Sequence, residues 1–313
     1  MSLYDHVSHL ADHFNCGLTE QSWARGRKHM IGIEVETQYF TAVGSPMSLE
    51  QSRRLLDGLL GTSSEWRYED LVKRNTLANK YGDRIQYELS RHNIELSIAP
   101  RPRYLLLSET LSLLNEMYEV AASIGAFPYF GPLFETDENL LVIPDDRDAT
   151  WLKIDGTDAL KGLAATSSVH FTFDVPREQA VRCLNRLGAN VKAFLADFPQ
   201  DVIWKIYRSS SPAGYADGRY GGPLEFGSIN SYCLSLMAHD VVTPDGLKSH
   251  RLEDFGFRLK TRADIDLFLR SVWWYFRLRR YGQRLCIEVR PLARRTDADL
   301  ERQLKLVLDT INL

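Results

Sequence analysis

Five glutamates and one histidine recur in this chain on short alternating segments. Glu34 and Glu36 lie in Ile31-Gly-Ile-Glu-Val-Glu-Thr37, Glu88 in Gln86-Tyr-Glu-Leu-Ser90, and Glu95 in Asn93-Ile-Glu-Leu-Ser-Ile-Ala99. His170 lies in Ser168-Val-His-Phe-Thr-Phe-Asp174, and Glu288 in Arg284-Leu-Cys-Ile-Glu-Val-Arg-Pro-Leu292. A strand turns successive side chains to opposite faces, so each segment would carry an apolar face and a polar one. In the last segment Leu285, Ile287 and Val289 share one face, and Cys286, Glu288 and Arg290 share the other. Carboxylates gathered on one face repel each other and resist burial, unless cations sit among them. An oxygen-rich set with one imidazole suits a hard divalent ion, magnesium or manganese, with phosphate as co-ligand. The plainer reading gives each acid an arginine partner on an exposed sheet. It serves for any single glutamate and serves less well for the set, because the opposite face is already apolar and helices are available to cover it. Cys286 shares the acidic face, where neighbouring carboxylates would disfavour a thiolate. It reads as a small wall residue.

The elements that must position these residues follow from periodicity. Residues 2–14 have Leu3, Val7, Leu10 and Phe14 at helical spacing, which leaves His6, His9 and His13 on a solvated face. A strand at 31–41 and a helix at 48–60 follow, and a polar stretch then runs to Asp83. Glu88 and Glu95 bracket Arg91-His92, so strands at 86–90 and 93–98 would bring two carboxylates together, although Arg-His is not a favoured turn pair. Pro100 and Pro102 end the second strand, and residues 103–124 form the clearest helix, stopped by Gly125. Residues 126–165 read as irregular. A strand at 168–174, a helix at 176–196, a Gly/Ser/Tyr-rich loop at 208–230, a helix at 263–281, the strand at 284–292 and a helix at 296–312 complete the chain. A loop that long inside a compact domain is usually functional or disordered. No linker, repeat or charge block divides the sequence, and one domain spanning 1–313 is the expectation.

Bulk properties narrow the function classes. The chain has 313 residues, 44% hydrophobic and 25% charged, enough to build a core without a disulfide or metal staple. A net charge of -3 gives a nucleic-acid partner no electrostatic support. The apolar runs are too short to span a bilayer, and the N-terminal residues lack the pattern of a signal peptide. Cys16, Cys183, Cys233 and Cys286 are far apart with no CxxC, which fits a reducing cytoplasm.

Taken in order, Gly32-Ile-Glu34-Val-Glu36, the Glu88…Glu95 pair, Ser-Val-His170-Phe-Thr-Phe and Ile-Glu288-Val-Arg290 resemble the glutamate–cysteine ligases and related carboxylate–amine ligases. The resemblance spans residues 31–292. The family's flanking Gly and Asn are Ser168 and Thr172 here, and Pro291-Leu292-Ala293 replaces the acid that often follows the last motif. The resemblance implies an α+β fold: a curved, mostly antiparallel β-sheet funnel of the glutamine-synthetase type, with helices packed on the outer face. It implies ATP and Mg2+ (or Mn2+) as cofactors, and formation of an amide through an acyl phosphate, such as transfer of a γ-glutamyl group to an amino acid amine. By motif position Glu34, Glu36, Glu88, Glu95, His170 and Glu288 would form the metal shell. Arg290 would reach the transferring phosphoryl group, and Arg208 at the mouth of the Gly-rich loop is a second anion-binding candidate, with Tyr215, Tyr220 and Asn230 as loop contacts. The partners implied are small molecules, an acid and an amine; oligomeric state is left open. A tailoring amide ligase, a phosphotransferase, a metal hydrolase and a non-catalytic nucleotide-binding homologue are the competing readings.

Overall fold

The computed structural model describes residues 3–15, 19, 29–136, 138, 140–141, 146–210, 218–239, 261–270 and 272–312. Its strands are β1 Met30–Thr41, β2 Arg67–Tyr68, β3 Thr76–Ala78, β4 Arg84–Tyr87, β5 Asn93–Pro102, β6 Ala126–Tyr129, β7 Ser168–Asp174, β8 Tyr220–Gly221, β9 Trp273–Trp274, β10 Phe276–Tyr281 and β11 Arg284–Ala293. Its α-helices are α1 Leu3–Asn15, α2 Leu49–Leu59, α3 Arg103–Ser123, α4 Asp146–Lys161, α5 Ala180–Ala189, α6 Val191–Leu195, α7 Gln200–Ser210, α8 Ile229–Leu236, α9 Arg262–Leu269 and α10 Asp299–Ile311.

Nine strands make one sheet in the order β10-β11-β7-β1-β5-β4-β3-β2, with β6 beside the far end of β1. All its pairings are antiparallel. β8 and β9 form a separate parallel pair. The chain is thus α+β with an antiparallel sheet. Alternation sorts its faces. Ile31, Ile33 and Val35 of β1, Ile94, Leu96 and Ile98 of β5, Val169, Phe171 and Phe173 of β7, and Leu285, Ile287 and Val289 of β11 are buried in one core. Leu106, Leu114 and Met117 of α3, Leu184 and Leu187 of α5, and Leu304 and Val307 of α10 join that core. Each such side chain contributes about 1.5–3 kcal/mol by leaving water. Local signals set the helix ends. Ser48 and Gln51 close a capping box on α2, and Gly125, at φ 75°, turns the chain after α3.

Several sequence expectations give way. The stretch 126–165 is not irregular throughout: it holds β6 and α4, bent at Gly156 with φ 80°. The helix expected at 176–196 is broken into a 3-10 turn at 177–179, then α5 and α6. The helix expected at 263–281 ends at Leu269, and β9 and β10 follow. Bulky, aromatic-rich residues there pack on the sheet, and tertiary packing overrides a spacing that also fits a helix. The polar stretch to Asp83 contains β2 and β3. His6 and His13 are buried rather than solvated. Burial lowers His13 to about 4, so it packs as a neutral ring, edge-on to Phe14 at 5.1 Å.

The loop at 218–226 is clamped to α5. Asn185 donates from Nδ2 to the Phe226 carbonyl (2.8 Å) and accepts the Phe226 N–H at Oδ1 (2.9 Å). Gly188, one turn on, lies so close that a Cβ would sit 1.8 Å from the Leu224 carbonyl oxygen. Gly188→Ala should therefore lower the unfolding free energy by about 1–3 kcal/mol through overpacking. Urea denaturation measures it, and an unchanged midpoint would show that the loop is not held there.

Candidate functional site

The non-core face of the sheet carries the polar residues, and register decides which of them meet. Glu34 lies opposite His170 on β7 and Ser97 on β5, and Glu36 lies opposite Glu95. Glu95 faces Gln86 on β4. Glu288 faces Thr172 on one side and Arg277 of β10 on the other. All of these line one cavity of about 1260 Å³, together with Glu88, Arg279, Tyr281 and Arg290.

At the β4–β5 side, Glu36, Glu88 and Glu95 each offer an oxygen within 4.8 Å of the other two. The Ser168 N–H donates to Glu36 Oε2 (2.7 Å), while Gln86 Nε2 (2.8 Å) and Ser97 Oγ (2.5 Å) donate to Glu95 Oε1. Burial, with the Glu95 charge beside it, raises Glu36 to about 8. Burial raises Glu95 well above the usual carboxylate range too, with Glu34 and Glu88 adding to it. Burial and crowding thus favour the protonated form of Glu36 and Glu95 unless a cation takes the proton's place, and an all-oxygen set of this kind suits a hard divalent ion. The strands are joined here by residues 88–92. His92 bridges Ser90 Oγ (3.0 Å) and Gln38 Oε1 (2.9 Å). Gln38 Nε2 donates to the Ala165 carbonyl and to Ser167, so its Oε1 accepts from His92 Nε2–H and Ser90 donates to Nδ1. That buried chain fixes the turn carrying Glu88.

Toward the middle, Glu34 Oε2 meets His170 Nδ1 at 2.9 Å. Burial alone would raise Glu34, but the His170 hydrogen bond and charge outweigh it and hold the carboxyl below its ordinary value. At the β10–β11 side the charge reverses. Arg277 grips Glu288 with two nitrogens, one at 3.2 Å from Oε1, and Arg290 approaches the same oxygen at 3.4 Å. Burial would raise Glu288, yet Arg277, Arg290 and Arg279 together hold it well below the usual range. Paired guanidiniums in a cavity wall suit phosphate or carboxylate oxygens.

The six expected metal ligands thus fall into three groups rather than one shell. Glu36, Glu88 and Glu95 converge, Glu34 pairs with His170, and Glu288 is held by arginines. Arg290 lines the cavity beside Glu288. Arg208 lies on the backbone of α7, and its side chain is outside the described residues, as is Tyr215. Tyr220 lines the cavity, whereas Asn230 is exposed on α8. Cys286, expected as a small wall residue, is buried and is not among the residues lining the cavity, and burial raises its thiol to about 12. Arg277 and Arg279 escape a sequence reading that makes their segment helical. The alternation Phe276, Arg277, Leu278, Arg279 was the signal that reveals them.

No family model matches this chain, and no curated protein matches it. Among solved structures it is similar to a bifunctional glutathione synthetase from Pasteurella multocida, at 13% identity and a TM-score of 0.48, over 99% of this chain and 41% of that one. It is similar also to a glutamate–cysteine ligase from Francisella tularensis in complex with AMP, at 11% identity and a TM-score of 0.48, over 92% of this chain and 67% of that one. The chain spans less than half of the first protein, and likenesses at this level say nothing of its own activity.

The acid trio has a pH consequence. A carboxyl with a folded pKa above its unfolded value stabilises the fold fully below the unfolded pKa, and that contribution is lost as pH rises through the folded pKa. For Glu36 the window runs from the ordinary value of 4.5 to about 8. In EDTA the melting temperature should fall across that window. Mg2+ or Mn2+ should restore more of it near the top of the window than near the bottom, and Glu36→Gln should flatten both responses. Differential scanning calorimetry checks this; an equal metal gain at both ends would exclude a cation at the trio.

Proposed function

We propose that this chain is an ATP-dependent carboxylate–amine ligase, with residues 1–313 acting as one catalytic unit and the polar face of the sheet as the floor of a funnel-type site. The observation that supports it is the division of one cavity wall into a carboxylate half and a guanidinium half. The first suits divalent cations and the second suits phosphate oxygens. The ordered motifs at Glu34, Glu36, Glu88, Glu95, His170, Glu288 and Arg290 point the same way. A cavity above the roughly 300–1,000 Å³ of a typical small-ligand site also favours more than one substrate at once.

In this reading Glu36, Glu88 and Glu95 hold magnesium or manganese, with Glu34, His170 and Glu288 as the neighbouring donors. A divalent ion bound there neutralises the approach of two anions, the nucleotide and the acid substrate. Arg290 and Arg277 bind the oxygens of the transferring phosphoryl group, and Glu288 holds both guanidiniums in place. An oxygen of the acid's carboxylate bonds to the γ-phosphorus, and ADP departs with the electrons of the broken P–O bond. The amine nitrogen then adds to the acyl carbon of the acyl phosphate, loses a proton and expels inorganic phosphate, which leaves the amide. The acid proposed is an amino acid such as glutamate, reacting through its γ-carboxylate.

Single amino acids and then pairs, supplied with Mg-ATP, test the reading through ADP and phosphate release. A matching acid and amine should yield ADP, phosphate and amide in equal amounts. ADP without phosphate would indicate a phosphotransferase, and hydrolysis without nucleotide a metal hydrolase. No nucleotide binding or turnover under any pair would overturn the proposal. Arg290→Ala should lower kcat by about a hundredfold or more with the far-UV spectrum unchanged. Full activity would remove Arg290 from the site.

A further inference from the structure

One group of residues lining the cavity, the lobe, is unlike the charged floor. Leu163, Trp204, Tyr207, Tyr220 and Trp273 form it, drawn from the 3-10 turn at 163–165, α7, β8 and β9. Trp204 and Tyr220 stack in parallel with ring centroids 5.9 Å apart, and Tyr207 meets Trp204 edge-on at 6.2 Å. Trp204, Tyr220 and Trp273 are half-buried, so their rings retain surface to offer.

The hydroxyls of the wall are committed elsewhere. Tyr207 donates to Asp155, and Tyr220 (3.0 Å) and Tyr275 both donate to Asp201. Lys205 Nζ, at 2.7 Å from Asp201, completes that anchor. Neither Asp155 nor Asp201 lines the cavity. The tyrosines are therefore held rigid by bonds made behind the wall, and what they offer a ligand is ring surface. A nucleobase would need hydrogen-bonding groups at its edges, and these hydroxyls do not supply them.

One polar residue of the lining is different. Asn93 lies on the same face of β5 as Glu95 and lines the cavity, yet is only 3% exposed. Its Nδ2 donates to the Thr166 carbonyl at 2.9 Å, which fixes the amide's orientation. Its Oδ1 has no donor among the described residues. A buried acceptor without a donor is costly, and a ligand N–H satisfies it.

We propose that Asn93 and the lobe of Leu163, Trp204, Tyr207, Tyr220 and Trp273 form the amine subsite, and that the amine substrate carries an aromatic or large apolar body. The inference rests on the ligase reading for the word substrate; the binding preference itself does not. The body lies on the ring wall, and the nitrogen donates to Asn93 Oδ1, next to the acid cluster. A small polar amine would leave the wall uncovered.

Calorimetric titration of the full chain in Mn2+ tests this with three probes: phenethylamine, ethylamine and 2-phenylethanol. Phenethylamine should bind about tenfold or more tightly than either of the others, a difference of about 1.4 kcal/mol. Trp204→Leu should erase the preference over ethylamine, and Asn93→Leu the preference over 2-phenylethanol, with Mn2+ affinity retained in both. Trp273→Leu serves as a second wall variant should Trp204→Leu fail to fold. Equal binding of the three probes overturns the proposal. So does a wall variant that weakens Mg-ATP and leaves phenethylamine unchanged, since the wall would then hold the base. Selective phenethylamine binding without nucleotide turnover keeps the lobe and removes the ligase reading; turnover with indifferent amine binding does the reverse.

Discussion

A strand's two-residue side-chain period is the constraint on which the rest of this molecule depends. On β1 it sends Ile31, Ile33 and Val35 into the core and Glu34 and Glu36 to the opposite face. A slip of one residue against β5 or β7 would drive two carboxylates into a space filled by Leu96, Phe171 and Val169. The hydrophobic face therefore locks the register, and the register determines that Glu36 faces Glu95 and Glu34 faces His170. Core packing and site geometry are two outcomes of one alternation.

That face is graded in charge. A trio of crowded carboxylates lies toward β4 and β5, an imidazole–carboxylate pair lies between, and a carboxylate surrounded by guanidiniums lies toward β10. The gradient keeps the two kinds of charge from cancelling completely. Were Arg277 and Arg290 placed beside Glu36 and Glu95, the cavity would hold only internal ion pairs, with little left to attract either a cation or a phosphate. The inward-facing Ser97, Gln86 and the Ser168 N–H give hydrogen bonds to Glu95 and Glu36 without supplying positive charge, which preserves the appetite of these two acids for protons or metal.

Much of this face could be read from the amino-acid sequence, because alternation is local. The strands carrying Glu34, His170 and Glu288 stand within a residue of where the pattern puts them; the strand carrying Glu95 starts where expected but runs on to Pro102, and the one expected at 86–90 ends at Tyr87, which leaves Glu88 in the turn. Of the arginine half, Arg290 could be read from its strand, whereas the alternation that carries Arg277 and Arg279 competes with a helical spacing. Trp273 to Tyr281 carries apolar residues that satisfy a helical spacing as well as a strand, and only the adjacent edge of β11 decides between them. The same limit hid the burial of His6 and His13, which comes from what α1 packs against. The grouping of the six candidate ligands was equally out of reach, since it depends on distances across strands that are not neighbours in the chain. The aromatic lobe is assembled from four separate elements, of which only the loop bearing Tyr220 stands out in the sequence.

The strand order has a kinetic side. β7 joins β1 by contacts some 136 positions apart, as between Glu34 and His170, and joins β11 by contacts such as Glu288 with Thr172. Loop-closure entropy must be overcome before such pairings reward the chain, so folding should be slow for its size. During synthesis β1 and β5 can form a hairpin-like pair early, while the flank of β1 that receives β7 waits for later residues and β7 in turn waits for β11. An apolar strand with an open edge is prone to pair with other chains. The acids on β1 and β5, crowded and unpaired at that stage, then act as gatekeepers. Their mutual repulsion discourages the nascent sheet from stacking on a copy of itself until the arginine-bearing strands arrive.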